Sequence, residues 1–358
     1  MRPLLRRRLL AALLCATAAV ATIARAAMPV VEFKMPPPPP PAPNPVFAEP
    51  TPTEEPAPRE TTTVATPSPD APAPAPVTNW LEAQIALARE GFSSGPIDGV
   101  GGAQSATALR AYQESRDLPA TGTLDAATRE RLSLATPPLT QLVLTAADLA
   151  RLQPLDPTWL GKSQQSALDY ETALELTAER THASPNLLHR LNPEVDWSNL
   201  APDTPLVVPA VSRVPKKKPA ARIIVQLAAR TLQLFDHDGG LLAHFPVSIA
   251  SRVEKRPVGE LRVKVVVANP DYTFDPATFP ESPEARTLDR KLILPPGPNN
   301  PVGLAWIGLD LPGYGIHGTP KPEQVGRTES HGCFRLANWD ALTLLDFAWP
   351  GLPVVVEP

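Results

Sequence analysis

Cys333 stands in the run Ser330-His331-Gly332-Cys333-Phe334-Arg335, and His317-Gly318-Thr319 begins sixteen residues before it. The chain has two cysteines, and the other, Cys15, falls in an N-terminal apolar run expected to be removed. An exported protein with one thiol cannot use it for an internal disulfide. Cys333 reads as a nucleophile for acyl transfer, and a nucleophilic thiol needs a nearby base or a positive field. His317 is the candidate base. It closes the apolar stretch Tyr314-Gly315-Ile316, which reads as the end of a strand. Cys333 lies shortly before a helix expected over 337–347. A strand end facing a helix start would bring thiol and imidazole within hydrogen-bond reach, and helix N-terminal amides would favour both a thiolate and an oxyanion. Gly332 has no side chain, so the amides of Gly332 and Cys333 could approach a tetrahedral intermediate closely.

These residue types are also compatible with other roles. Taken alone, Cys333 could be a small buried hydrophobe. His317, His331 and Cys333 could form a zinc set, but no tight His-x-x-x-His or Cys-x-x-Cys spacing accompanies them. A domain without activity, serving only as a binding scaffold, is a third reading. Trp306 and Tyr314 could line a cleft or fill a core. His182, His189, His237 and His244 have no partner constellation.

The elements that must position these residues occupy 221–358. Apolar runs at Ile223-Ile224-Val225, Leu232 to Phe235, Leu242 to Ile249, Leu261 to Val267, Trp306 to Leu309 and Val354 to Val356 read as strands, with a hairpin turn over Asp236 to Gly240. Ala337 to Phe347 reads as an amphipathic helix. These signals give a β-rich domain with one or two helices, large enough for its own core.

The two motifs, His317-Gly318-Thr319 and Ser330-His331-Gly332-Cys333-Phe334-Arg335, resemble the signature of the L,D-transpeptidases, the YkuD-like catalytic domain. Arg256-Pro257-Val258-Gly259, Asn269-Pro270 and Leu294-Pro295-Pro296-Gly297 add to the likeness, although Arg256 replaces the usual threonine. The resemblance implies that Cys333 attacks a peptide-stem carbonyl and His317 handles the thiol proton. It implies that the Gly318 backbone orients His317, and that the amides of His331, Gly332 and Cys333 form an oxyanion hole. Ser330, Arg335, Thr319, Trp306 and Tyr314 would contact substrate, with arginine suited to a carboxylate. The implied reaction acylates Cys333 with a stem tetrapeptide, releases D-alanine and passes the acyl group to an amine. The acceptor would be a second stem or a wall-anchored protein; water would give carboxypeptidase action. No metal or cofactor is implied.

Upstream of 221 the chain reads as modular. Arg2, Arg6, Arg7 and Arg8, an apolar run to Ala24 and Ala24-Arg25-Ala26 form a signal peptide over 1–26. The run is shorter than the ~18–20 residues of a membrane span. Its removal takes five arginines and leaves 28 basic against 37 acidic residues. That balance disfavours nucleic-acid binding. The expected location is the periplasm or cell envelope. Residues 27–77 form a Pro-rich disordered linker without the apolar content for a core. Residues 78–135 read as three short helices separated by glycine turns. Gly91-Phe92, Asp98-Gly99, Ala108-Leu109, Tyr112-Gln113, Gly122 and Leu124 resemble a peptidoglycan-binding module, with Val100 where an aromatic residue is usual. A linker over 136–169 is followed by 170–210. There Leu191-Asn192-Pro193, Asn199-Leu200-Ala201-Pro202 and Leu206 to Pro209 resemble the end of a LysM element of small α/β type. A linker over 211–220, with Lys216-Lys217-Lys218, precedes the catalytic domain.

Overall fold

The structure is a computed structural model that describes residues 74–358 apart from 212, 213, 215–218, 280, 281, 329 and 331. The expected signal peptide, almost all of the Pro-rich segment, the lysine cluster and His331 lie outside the described residues.

The first folded module runs from β1 (Ala75–Pro76) through α1 (Trp80–Glu90), α2 (Ala103–Ser115) and α3 (Ala126–Arg131) to β2 (Ser133–Leu134), which pairs with β1. Helix α1 starts where the Asn79 side chain accepts from the Glu82 amide at 3.0 Å, satisfying a donor the helix leaves unpaired. It stops at Gly91, which takes the left-handed conformation at φ 92°. Ile85 aside, its apolar face (Ala83, Ala86, Leu87) packs with Phe92, Leu109 and Tyr112.

The next segment corrects one expectation. Residues 136–169, expected as a linker, carry β3 (Leu139–Leu142), α4 (Ala146–Ala150) and α5 (Trp159–Gln164). Strand β3 pairs antiparallel with β4 (Leu206–Pro209), across α6 (Ala173–Arg180) and α7 (Pro185–Leu191). The segment is therefore the front half of a module whose back half is 170–209. Its helices are too short for a periodic apolar pattern to show in the sequence.

Beyond it come β5 (Arg222–Gln226), β6 (Thr231–Phe235), β7 (Leu241–Pro246), β8 (Gly259–Ala268), β9 (Tyr272–Phe274), β10 (Leu292–Leu294), β11 (Ala305–Leu309), β12 (Gly315–His317), β13 (Phe334–Arg335), α8 (Asn338–Phe347) and β14 (Pro353–Glu357). Eight of these strands form one mixed sheet, ordered β13-β12-β11-β8-β14-β5-β6-β7. The β12–β13 and β14–β5 pairs are parallel. The continuation of β7 returns to β13: the Ser248 amide donates to Arg335 O at 2.9 Å and the Arg335 amide to Ser248 O at 3.0 Å. The two ends of the sheet thus meet around a core of Ile223, Val225, Leu234, Phe245, Ile307, Ile316, Phe334, Leu344 and Val354. Strands β9 and β10 form a separate hairpin.

Helix α8 was expected to be amphipathic, but Asn338, Trp339, Asp340, Ala341, Thr343, Leu344 and Phe347 are all buried. Its polar side faces the upstream modules rather than water. Trp339 stacks on His182 with centroids 5.2 Å apart, and Asp340 Oδ2 accepts from Ser93 Oγ at 2.9 Å. The Ser93 amide donates to His244 O at 2.8 Å, and the His244 amide donates to Gly91 O at 2.9 Å. Gln104 Nε2 reaches Val325 O at 2.7 Å. The helical module is thus joined to the outer edge of β7 by a backbone ladder.

Candidate active site

The thiol and imidazole are placed by two parallel strands. Ile316 pairs with Phe334 and His317 with Arg335, so Gly315 lies alongside Cys333. Alternate residues of a strand share a face, which puts Gly315, His317 and Cys333 on one side of the sheet. Cys333 Sγ lies 3.5 Å from Gly313 O, to which the thiol donates. The expected helix start is not beside the thiol: α8 begins only at Asn338, because Phe334 and Arg335 are drawn into the sheet by β12 and Ser248. The field of a helix end fades within a turn, so it does not act on Cys333.

His317 is buried, and its Nδ1 lies 2.6 Å from Gly318 O. A carbonyl only accepts, so Nδ1 carries the proton and Nε2 is left as the basic nitrogen. The Gly318 amide donates to Ala305 O at 3.2 Å, which fixes the peptide that holds the ring. Asn338 packs against that peptide. Its Oδ1 accepts from the Leu304 amide at 3.1 Å and its Nδ2 donates to Pro298 O at 3.1 Å. A Cβ at Gly318 would collide with Asn338 Oδ1, so glycine is what lets the asparagine approach.

Trp306 faces His317 across the β11–β12 pair, and the rings stack with centroids 5.8 Å apart at 27°. The far edge of the indole crosses Gly315, where an added Cβ would stand 2.6 Å from Cη2. Gly315 is thus a slot for the tryptophan.

Burial sets the charge states. It lowers the His317 pKa to about 4; the bond to Gly318 pulls the other way and the Arg335 charge adds to the lowering. Burial raises the Cys333 pKa, and a bond from the Gly315 backbone offsets part of this. At neutral pH the resting pair is thiol and neutral imidazole.

The surrounding residues divide into two groups. Ser330 Oγ donates to Cys333 O at 2.6 Å and accepts from the Gly332 amide at 3.3 Å. Its hydroxyl hydrogen is used within the loop that carries the cysteine. Thr319 is 5% exposed, and its hydroxyl accepts from the Lys321 amide at 3.4 Å. Both residues shape backbone. Arg335 is half-buried and its guanidinium lies 3.4 Å from Thr328 Oγ1. Tyr314 approaches Gly332, whose added Cβ would be 4.0 Å from the tyrosine Cε1. Gly332 itself adjoins Cys333, whereas His331 lies outside the described residues. Two residues at the site carried no signal of their own in the sequence: Asn338 and Gly315. Burial pushes the Tyr272 phenol, on the hairpin, up to about 12, and the charge of Cys333 adds to this. Among the described residues, no group of three or more His, Cys, Asp or Glu is arranged to hold a metal ion.

Residues 220–356 match the family model of the L,D-transpeptidase catalytic domain, YkuD. This part of the chain is similar to the YkuD family over the whole of that catalytic region. Residues 77–132 match a second model, described as "Putative peptidoglycan binding domain". The YkuD domain has curated relatives. The "Putative L,D-transpeptidase YkuD" of Bacillus licheniformis is 28% identical over 185 residues, covering 52% of this chain and 93% of that protein. The "Putative L,D-transpeptidase YqjB" of Bacillus subtilis is 32% identical over 117 residues, covering 31% of this chain and 57% of that protein. Among solved structures, L,D-transpeptidase 3 from Mycobacterium tuberculosis aligns over 45% of this chain and 77% of its own, with 17% identity and a TM-score of 0.31. The L,D-transpeptidase from Xylanimonas cellulosilytica aligns over 82% of this chain and 100% of its own, with 13% identity and a TM-score of 0.34. The similarity to the family therefore rests on the sequence matches. The chain thus combines a helical peptidoglycan-binding region with a C-terminal β-rich YkuD domain, and peptidoglycan is the polymer both point to.

Proposed function

We propose that this protein is a cysteine-dependent peptidoglycan L,D-transpeptidase. The observation that carries the reading is the pairing of β12 with β13, which puts Cys333 and His317 on one face with Nδ1 of the imidazole tied to Gly318 O. With a neutral pair at rest, His317 Nε2 takes the thiol proton as Sγ attacks the carbonyl carbon of the third residue of a stem tetrapeptide. The amide C–N bond breaks, and D-alanine leaves as an amine that takes that proton from His317. A thioester remains on Cys333. In the second half, an acceptor amine attacks the thioester carbonyl; a C–N bond forms, the S–C bond breaks, and the proton returns to the thiol. A stem amine gives a cross-link, a protein lysine gives anchoring, and water gives hydrolysis.

The amides of Cys333 and Gly332 stabilise the oxyanion. For the Gly332 amide, this means exchanging its long bond to Ser330 Oγ for one to the substrate. Arg335 and Tyr314 flank the stem, and Trp306 holds the imidazole plane. The helical module and the LysM-like segment keep the catalyst on its polymer, which raises the local substrate concentration. An export signal over 1–26 would deliver the protein to the envelope, with the Pro-rich segment as spacer.

The test is intact-mass analysis with a disaccharide-tetrapeptide, comparing the wild type with Cys333→Ala. An acyl adduct and free D-alanine should appear only with the wild type. If the two proteins behave alike, the acyl-transfer reading falls and the wall-binding scaffold replaces it.

A further inference from the structure

Helix α6 puts two acids on one face. Glu175 and Glu179 are four residues apart, and like charges at that spacing cost a helix stability. The first is satisfied. Glu175 Oε1 accepts from Asn299 Nδ2 at 2.6 Å, and its Oε2 accepts from the Glu171 amide at 2.7 Å. The second is not: Glu179 Oε1 is buried without a hydrogen-bond partner. Native chains pair nearly all buried polar atoms, so an orphan of this kind asks for a partner from outside. Burial pushes Glu179 up to about 8; the charges of Glu175 and Asp340 add to this, and the Asn338 amide opposes it.

Both acids line a cavity of about 160 Å³ to which all three modules contribute. The helical module supplies Pro96, α6 supplies Leu174 and Ala178 with the acids, and the catalytic domain supplies Pro320, Pro322 and Glu323. Backbone bonds fix the modules around it. The Ile97 amide donates to His182 O at 2.7 Å, and the Ser184 amide donates to Ile97 O at 2.8 Å. Pro320 follows Thr319, so the catalytic side of the cavity continues the His317-Gly318-Thr319 motif. Glu323, the third acid, is exposed. The described residues that line the cavity include no Lys, Arg or His. This chemistry selects the occupant. Prolines, Leu174 and Ala178 suit methylene groups, and three carboxyls suit a positive end. A hydrated metal ion makes no use of the apolar sides. The volume is room for about five water molecules, enough for a short alkyl chain with a charged head.

We propose that this cavity binds a primary alkylammonium group, the free side-chain amine of a peptidoglycan stem, with Glu179 and Glu323 receiving the charge. An ammonium offers three donors, which answers the unpaired carboxyl and leaves a bond for the acid at the exposed side. The inference rests on peptidoglycan as the polymer and is independent of the chemistry at Cys333. An amine already used in a cross-link is an amide and carries no charge. The cavity therefore favours stems that are not yet cross-linked, and it holds them at the junction of the modules.

The test uses the full chain carrying Cys333→Ala, so that nothing turns over. Calorimetric titration at pH 7 compares three probes: a disaccharide-tetrapeptide with a free amine on its third residue, the same compound acetylated at that amine, and pentylamine. Acetylation should weaken binding about 10- to 100-fold. The bound ammonium makes Glu179 ionise, so binding should release about 0.9 proton at pH 7, read from titrations in two buffers of different ionisation heat. Adding Glu179→Gln should abolish the proton release and the effect of acetylation together. Adding Glu323→Gln should weaken binding about three- to tenfold and keep the proton release, and it decides the matter if Glu179→Gln does not fold. Pentylamine binding with proton release, while acetylation of the tetrapeptide changes nothing, keeps the alkylammonium site and removes the stem as its source. Equal binding of both tetrapeptides with no heat from pentylamine overturns the proposal, as does a free-amine titration that Glu179→Gln leaves unchanged. If the wild type releases no D-alanine, only the acyl-transfer reading fails, because none of these titrations needs turnover.

Discussion

The charge state of the resting pair gives the sharpest prediction. A thiolate–imidazolium pair and a thiol–imidazole pair differ by one proton transfer, and they answer a small alkylating agent differently. Burial places the structure on the neutral side, since Cys333 is raised and His317 is lowered to about 4. An ordinary thiol near pKa 8.5 is about 3% thiolate at pH 7, and every unit upward lowers that tenfold. Cys333 should thus hold less than about 3% thiolate at pH 7, at least roughly 30-fold below an ion pair. The assay is iodoacetamide labelling of the full chain between pH 4 and 10, read by intact mass. The rate should climb about tenfold per pH unit through neutrality and bend only above the ordinary thiol range. In D-alanine release, kcat/KM should lose activity on the acid side only near pH 4, where His317 takes a proton, with no step between 6 and 7. A labelling rate that is already high and flat from pH 5 to 8 would refute the reasoning, because it requires a thiolate stabilised by a charged histidine.

Further predictions follow from the packing around the histidine. Asn338→Ala leaves the Leu304 amide and the Pro298 carbonyl buried without their partners, so denaturant titration should show a loss of about 2–5 kcal/mol. Gly315→Ala puts a methyl 2.6 Å from the Trp306 ring; D-alanine release should drop about 10- to 100-fold while circular dichroism stays that of the wild type. Ser330→Ala removes the bond to Cys333 O, and stopped-flow acylation should slow by about tenfold. Adding EDTA should leave D-alanine release unchanged; loss of activity restored by zinc would move His317 and Cys333 to a metal role.

The parts of this protein that could be read in the chain are those carried by local order. The strand runs around Ile223, Leu232 and Trp306 and the two motifs at His317 and Cys333 are contiguous stretches, and periodicity or residue type exposes them. One relation is not legible: the sequence sets a helix close behind Cys333, but β13 intervenes. Two-residue strands such as Phe334–Arg335 leave no pattern, since their pairing partners, Ile316, His317 and Ser248, lie far off in the chain. The front half of the middle module, 136–169, reads as a linker for the same reason. Trp159 reads as an isolated aromatic in a polar stretch, and its meaning comes from Glu284 and Phe274, more than a hundred residues later. Asn338 likewise lies in a helix expected to be amphipathic, and its burial depends on partners distant in the chain.

The ladder between Gly91, Ser93 and His244 has a consequence for the wall itself. A catalyst on a loose tether would sample every stem within its radius. Here the helical module and the thiol belong to one compact unit, joined by hydrogen bonds, and a constant offset between them is what that joint would give. A glycan strand held by the first would present its neighbour to the second at one distance, and the spacing of the bonds formed would be a property of the protein. The enzyme would then work as a gauge, writing a fixed pitch into the polymer. Cross-linked products from the intact chain should cluster at one separation, and those from the catalytic domain added alone should scatter.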